Sequence, residues 1–295
     1  MRVTQSMLSN NMLRNLSKSY TSMNKYMDQL TTGKKINRPS DDPVIAMKGM
    51  RYRTEVSNVE QFQRNITEMH TWMDTSDETL DETTQILNKL RDLTVQSANE
   101  TYDAEQRKAI KKEVDQLKLQ LVEVGNTKVN NKYIFNGTQT TMKPIKVNGS
   151  GFNPSYEINP SSPVMLEVTA GTKLQANVTP ENVFNKELFK TVSDLSTALE
   201  DDNTAALDSL IGEIDGHINN TIGERADLGA RMNRVELIES RLEGQSISAR
   251  NMMSRNEDVD TAEVIIKLTS QEAIHRAALS AGSRVIQPTL LDFLR

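Results

Sequence analysis

Residues 13–30 read LRNLSKSYTSMNKYMDQL, with apolar side chains at Leu13, Leu16, Tyr20, Met23, Met27 and Leu30. The steps are three, four, three, four and three, a heptad rhythm. Because an α-helix turns once in 3.6 residues, that rhythm draws one narrow apolar seam along a helix that needs a partner. The seam stops where TTGKKINRPSDDP begins at residue 31. Gly33 suits the left-handed position just past a helix, and Asp42 followed by Pro43 suits an N-cap and first helical residue. One helix therefore ends near residue 32 and another begins near residue 43.

The second helix is predicted to be long. Val59, Phe62, Ile66, Met69, Met73, Ser76, Leu80, Thr83, Leu87, Leu90, Thr94 and Ser97 step by three and four without a break. At 1.5 Å per residue the run is about 58 Å of helix. Four of its twelve seam positions are Ser or Thr, so it buries less than a leucine zipper. After a turn at 99–102, Asp103 and Gln106 read as a variant capping box. Ile110, Val114, Leu117, Leu121 and Val124 then carry a seam back on an antiparallel neighbour.

Between about 135 and 185 the texture changes. Pro144, Pro154, Pro160, Pro163 and Pro180 fall here, with Gly137, Gly149, Gly151 and Gly171. Short runs at 145–147, 165–168 and 174–178 separate them, which predicts a β-rich insertion of open strand order. The bundle seams do not draw on it, so the insertion is expected to be dispensable for folding. Helices resume, with Leu210, Ile214, Ile218 and Ile222 on one stripe and Leu228, Met232, Val235, Ile238 and Leu242 continuing it. In the last zone Ala273, Ala277 and Ala281 recur every four residues beside Ala278 and Gly282. Pro288 stops that helix before an apolar tail containing Leu290, Leu291, Phe293 and Leu294.

The expected organisation is a mainly α, elongated rod. Segment 1–42 is a terminal coiled-coil helix, 43–134 the first part of a long-helix bundle, and 135–184 the β-rich outer insertion. Segment 185–255 is the second part of the bundle, and 256–295 the C-terminal coiled-coil helix. Each end carries a seam with no partner in its own half, so helices at roughly 5–32 and 262–287 should pair antiparallel. The predicted assembly contacts are Leu13, Leu16, Tyr20, Met23, Met27, Leu30, Ala273, Ala277, Ala281, Leu290 and Leu291.

Composition narrows the function. The 295 residues are 36% hydrophobic and only 4% aromatic, which suits helices burying a narrow stripe better than a thick layered core. No stretch approaches the roughly 18 apolar residues of a membrane span. The start, MRVTQSMLSNNMLRNL, lacks the apolar core of a cleaved secretory signal. Cysteine is absent, which excludes disulfides, thiolate metal sites and a cysteine nucleophile. Residues 1–53 hold ten basic and three acidic side chains, net +7, which leaves the rest of the chain at −12. With no nucleic-acid motif or aromatic platform beside it, this excess reads as a solvated face complementary to an acidic neighbour.

No constellation points to catalysis. There is no nucleophile elbow, phosphate-binding loop, dinucleotide fingerprint or H-E-x-x-H pair. His70, His217 and His275 each sit in a helical pattern far from the others. Glu257, Asp258 and Asp260 lack the Gly and closing Glu of a calcium loop and read as an interhelical turn or N-cap. No enzyme activity, metal or cofactor is expected.

The ordered set of segments LTTGKKINRPSDDP at 30–43, NNKYIFNGT at 130–138, RADLGARMNRVE at 225–236 and the Ala-rich end resembles the flagellin superfamily over essentially the whole chain. Flagellins tend to carry an Asp-Asp-Ala-Ala-type sequence where this chain has Arg38-Pro-Ser-Asp-Asp-Pro43. That version, the Met-Arg-Val-Thr start and the Leu-Leu-Asp-Phe-Leu end are similar to the hook-associated protein 3 family of hook–filament junction proteins. The resemblance implies an extracellular structural subunit of the bacterial flagellum, exported without a cleaved signal and kept soluble by a cytoplasmic chaperone. It implies as partners further copies of the chain, the first hook-associated protein and flagellin. The end helices would line the axial tube and order only on polymerisation. A filament flagellin and an intracellular coiled-coil scaffold are the alternatives.

Overall fold

The computed structural model describes residues 5–99, 102–148, 155–158 and 162–286. In chain order the elements are α1 (Gln5–Thr32), α2 (Pro43–Ala98), α3 (Ala104–Gly125), β1 (Lys128–Val129), β2 (Lys132–Tyr133), β3 (Ile145–Asn148), β4 (Ser155–Ile158), β5 (Met165–Thr169), β6 (Thr172–Gln175), α4 (Pro180–Val183), α5 (Lys186–Glu200), α6 (Thr204–Glu257) and α7 (Thr261–Ile286). The helix stop at 32 and restart at 43 fall where the sequence chemistry puts them. Gly33 has φ of +69°, and Asp42 Oδ1 accepts from the backbone N–H groups of Val44 and Ile45. Gln106 reaches back to the Asp103 N–H at 3.2 Å. The chain forms two compact units, a central one of 59–244 and a terminal one of 1–58 with 245–295. Their boundaries fall inside α2 and α6.

The central unit holds a continuous core. On α2, Ile66, Met69, Met73, Leu80, Leu87 and Leu90 are fully buried, as the unbroken seam requires. Ser76, Thr83 and Thr94 on the same seam are also fully buried. Their hydroxyls donate to the carbonyl oxygens of Trp72, Thr79 and Leu90 one turn back, at 2.7, 2.8 and 2.7 Å. Bonding within the helix lets these polar side chains enter the core without an orphaned donor. α6 runs antiparallel to this stretch, with a hydrogen bond between His70 and Glu239 and ion pairs from Arg225 to Asp77 and Asp81 and from Arg91 to Asp215. On α6 the stripe shifts at one position. Ile222 is half exposed, and Thr221 beside it is buried, its hydroxyl donating to His217 O. Ile222 is therefore corrected to a surface position.

Three separate antiparallel hairpins, β1–β2, β3–β4 and β5–β6, make up the β region. The first lies upstream of the expected insertion. It turns through Asn130 and Asn131 with φ of 50° and 64°, the paired left-handed residues of a tight two-residue hairpin. The insertion is not an outer appendage to the seams. Ile145, Val168, Leu174, Ala176 and Val178 belong to the same core cluster as Leu121, Leu188 and Ile214. Asn126, just past α3, clamps Ile145 by bonding its carbonyl and its N–H, both at 3.1 Å. Gly125 is held so close that a Cβ there would lie 2.2 Å from Ile145 Cδ1. The expectation that the seams do not draw on the insertion is overturned. Runs of three to five residues contribute only one or two inward side chains each, so their packing partners do not show as a helical period.

Candidate assembly site

The terminal unit has an unusual distribution of apolar side chains. Among the described residues its buried hydrophobics are Ala249 and Val264, and it contributes nothing to the main core cluster. Its large apolar side chains are outside instead. Leu13, Tyr20 and Met27 on α1 are each more than half exposed, as are Val44, Met47 and Met50 on α2.

α1 and α7 pair antiparallel. Gln271 Nε2 donates to Ser19 Oγ at 2.9 Å, and the rings of Tyr20 and His275 lie 6.4 Å apart. A Cβ on Gly282 would run into Met12. Among the described side chains of α1, Ser19 is buried, and Met12, Leu16, Met23 and Leu30 are partly covered together with Ser9, Ser22, Tyr26 and Gln29. The sequence seam is thereby split. Leu16, Met23 and Leu30 are partly covered, while Leu13, Tyr20 and Met27, spaced by seven, form an exposed stripe along the flank. On α7 the half-buried or buried small residues are Ala278 and Gly282, and Ala273, Ala277 and Ala281 face solvent. Leu290 and Leu291 lie outside the described residues.

The helix pair is tied off by a clasp that the sequence did not disclose. The turn after α1 and the turn between α6 and α7 form an antiparallel bridge between Lys34 and Asp258. Lys35 N donates to Glu257 O at 2.7 Å, and Val259 N donates to Gly33 O at 3.0 Å. The Glu257 side chain is 5% exposed, and its Oε2 receives Arg53 Nη2 at 2.8 Å with Lys34 Nζ at 3.5 Å. Its Oε1 has no hydrogen-bond partner and rests against α2 where Gly49 leaves room. A Cβ at Gly49 would lie 2.6 Å from Oε1. A glycine inside a helix costs about 1 kcal/mol against alanine, and this close approach explains its presence. Substitution Gly49→Ala is expected to push the carboxylate off its two cations and cost about 1–3 kcal/mol, as overpacking does. Faster amide exchange at 254–260, with no change in the central unit, is the readout.

The clasp is also charge-tuned. Asp258 is held below its ordinary 3.8 by the hydrogen bond from Lys34 and then by Ser254, at 2.7 and 2.6 Å. Lys34 is correspondingly raised above 10.5, chiefly by Asp258. A depressed carboxyl stabilises the folded form above its unfolded pKa and loses that contribution as pH falls through the folded value. A raised lysine contributes below 10.5 and loses its part above that. Proteolysis in the 31–43 turn is therefore expected to be constant around neutrality and to accelerate as pH falls below 3.8. Acceleration already near pH 6 would point to a histidine instead.

The other histidines serve local structure. His70 meets Glu239, and His217, packed between α5 and α6 beside Thr191, is pushed below its ordinary pKa by burial. Among the described residues no group of three His, Asp or Glu side chains could hold a metal ion, and no helix is long and apolar enough to cross a membrane.

Residues 3–140 match the model of the bacterial flagellin N-terminal helical region, and residues 211–294 match that of the flagellin C-terminal helical region. The chain belongs to the flagellin family. Flagellins and their hook-associated relatives are structural proteins, and this chain is accordingly a structural component of the bacterial flagellum. It is 26% identical over 291 residues to the flagellar filament 33 kDa core protein of Treponema phagedenis, covering 96% of each chain. It is 23% identical to flagellar hook-associated protein 3 of Escherichia coli, covering 95% of this chain and 96% of that one. The crystal structure of Bacillus cereus FlgL superposes with a TM-score of 0.59 at 25% identity, over 69% of this chain and 99% of that one. Within the flagellin family the two matched regions hold the helices that pair here, α1 and α7.

Proposed function

We propose that this protein is the subunit that joins the flagellar hook, through the first hook-associated protein, to the flagellin filament. It acts by polymerising through its terminal unit. The observation that carries this reading is the inverted terminal unit, whose apolar side chains lie outside with almost none within. An apolar surface of that extent on a helix pair with little core is stable only when neighbours cover it. Further copies of the chain are the first such neighbours, with the first hook-associated protein below and flagellin above. Ordering the termini on contact delays polymerisation until export is complete, and a cytoplasmic chaperone covers the same surface beforehand. The assembled protein is extracellular. The hook-associated relatives and the Pro-Ser-Asp-Asp-Pro sequence at 39–43 favour the junction.

A filament flagellin is the second reading, favoured by the Treponema phagedenis relative. Gene deletion viewed by electron microscopy separates the two. Hooks that persist without filaments, with flagellin released to the medium, support the junction. Loss of the main filament mass, together with this chain being the most abundant protein of the wild-type flagellum, would instead make it the filament subunit.

A further inference from the structure

Charge divides between the two units as sharply as apolar surface does. Residues 1–58 and 245–295 carry sixteen Lys and Arg against ten Asp and Glu, net +6, which leaves 59–244 at −11 within the total of −5. The first turns of α2 concentrate both features. Gly49 marks the side of α2 that packs on Glu257. On the opposite side, by the 100° step of a helix, lie Val44, Met47 and Arg51, with Lys48 at one edge. All four are exposed, Val44 and Met47 at 55% and 62%. This face mixes apolar and basic side chains and lies away from the Gly49 side that packs on Glu257.

We propose that this face of α2 docks on the acidic central unit of a second copy of the chain. The proposal rests on the self-assembly reading above and adds to it which surfaces meet. Like surfaces are a poor match, since two terminal units would bring a +6 surface against another. The central unit of a neighbour supplies the opposite sign, and its exposed Leu119, Ile222 and Leu237 are separate apolar points on it. Methionine suits such a contact, because an unbranched, polarisable side chain fills an uneven surface with little strain. Opposite potentials steer the encounter, and Val44 and Met47 supply the apolar contact that holds it.

The test uses full-length protein, equal parts of natural-abundance and nitrogen-15 copies, and a carbodiimide that joins Lys to carboxylate with no spacer. Mixed-isotope peptides linking Lys48 to carboxylates of 59–244 are expected. Their yield should fall as ionic strength rises from 0.05 to 0.5 M, as the Debye length contracts. The double variant Lys48→Glu and Arg51→Glu should weaken self-association about tenfold with thermal unfolding unchanged, since both side chains are solvent-facing. Mixed-isotope links confined to the terminal units, or association indifferent to charge reversal, would overturn the proposal. Those results leave the deletion phenotype untouched. The expected links in a strain whose deletion spares its flagella would overturn the junction reading alone.

Discussion

A chain in which a short Gly/Ser linker replaces residues 138–180 is expected to lose its cooperative thermal transition. The segment supplies Ile145, Val168, Leu174, Ala176 and Val178 to the core of the central unit, each at most 6% exposed. Its removal also uncovers Phe135 and Phe184, which pack edge to face with ring centroids 5.0 Å apart. Truncating one large buried side chain to alanine costs about 2–5 kcal/mol. Losing several together exceeds the roughly 5–15 kcal/mol by which a domain is stable. The helices of such a variant should retain partial far-ultraviolet dichroism, while the sharp melt and the fixed aromatic environment disappear. A cooperative melt within a few degrees of the parent would show that the hairpins are accessory and that α2, α3, α5 and α6 close a core without them.

The second large effect concerns the exposed half of the terminal seam. Replacing Leu13 and Met27 together by Asp is expected to abolish motility while leaving the soluble monomer intact. Both side chains are more than half exposed, at 57% and 55%, so their loss removes little from the monomer's packing. Surface changes of that kind stay within about 0.5 kcal/mol each. On the proposed assembly reading the same positions become apolar contacts, where an unpaired carboxylate costs several kcal/mol. Leu16→Asp makes the contrast, since Leu16 is partly covered within the terminal unit, and that variant should loosen the helix pair before assembly. Hydrogen exchange on the parent monomer should find α1 and α7 poorly protected next to the central stretch of α2. Motility surviving the Leu13 and Met27 double change would remove the exposed stripe from the assembly contacts.

Much of this protein follows from local chemistry. The end of α1 at Thr32 and the start of α2 at Pro43 are set by Gly33 and by the Asp42–Pro43 cap, all within a few residues of the ends they define. The long seam of α2 is legible because its period is a property of one helix. Even its Ser and Thr positions are explained within one turn, by bonds to the carbonyl three or four residues back. The need of the two ends for each other was legible too, as a seam without a partner nearby.

Three features were decided by tertiary structure. A heptad defines a stripe but not how much of it one neighbour covers, so the division into covered Leu16, Met23 and Leu30 and exposed Leu13, Tyr20 and Met27 required the position of α7. Short strands carry too few inward residues to announce what they pack on, so the clamp of Asn126 on Ile145 and the merging of the insertion with the bundle core appear only in three dimensions. The clasp joins Lys34 and Arg53 to Glu257 across more than two hundred residues of chain. Its local signs were a basic excess, an unexplained helical glycine at 49 and an acidic turn at 257–260, each of which has an ordinary surface reading by itself. Only their meeting excludes water from the Glu257 carboxylate, and a carboxylate so buried must be held by the cations that the fold brings to it.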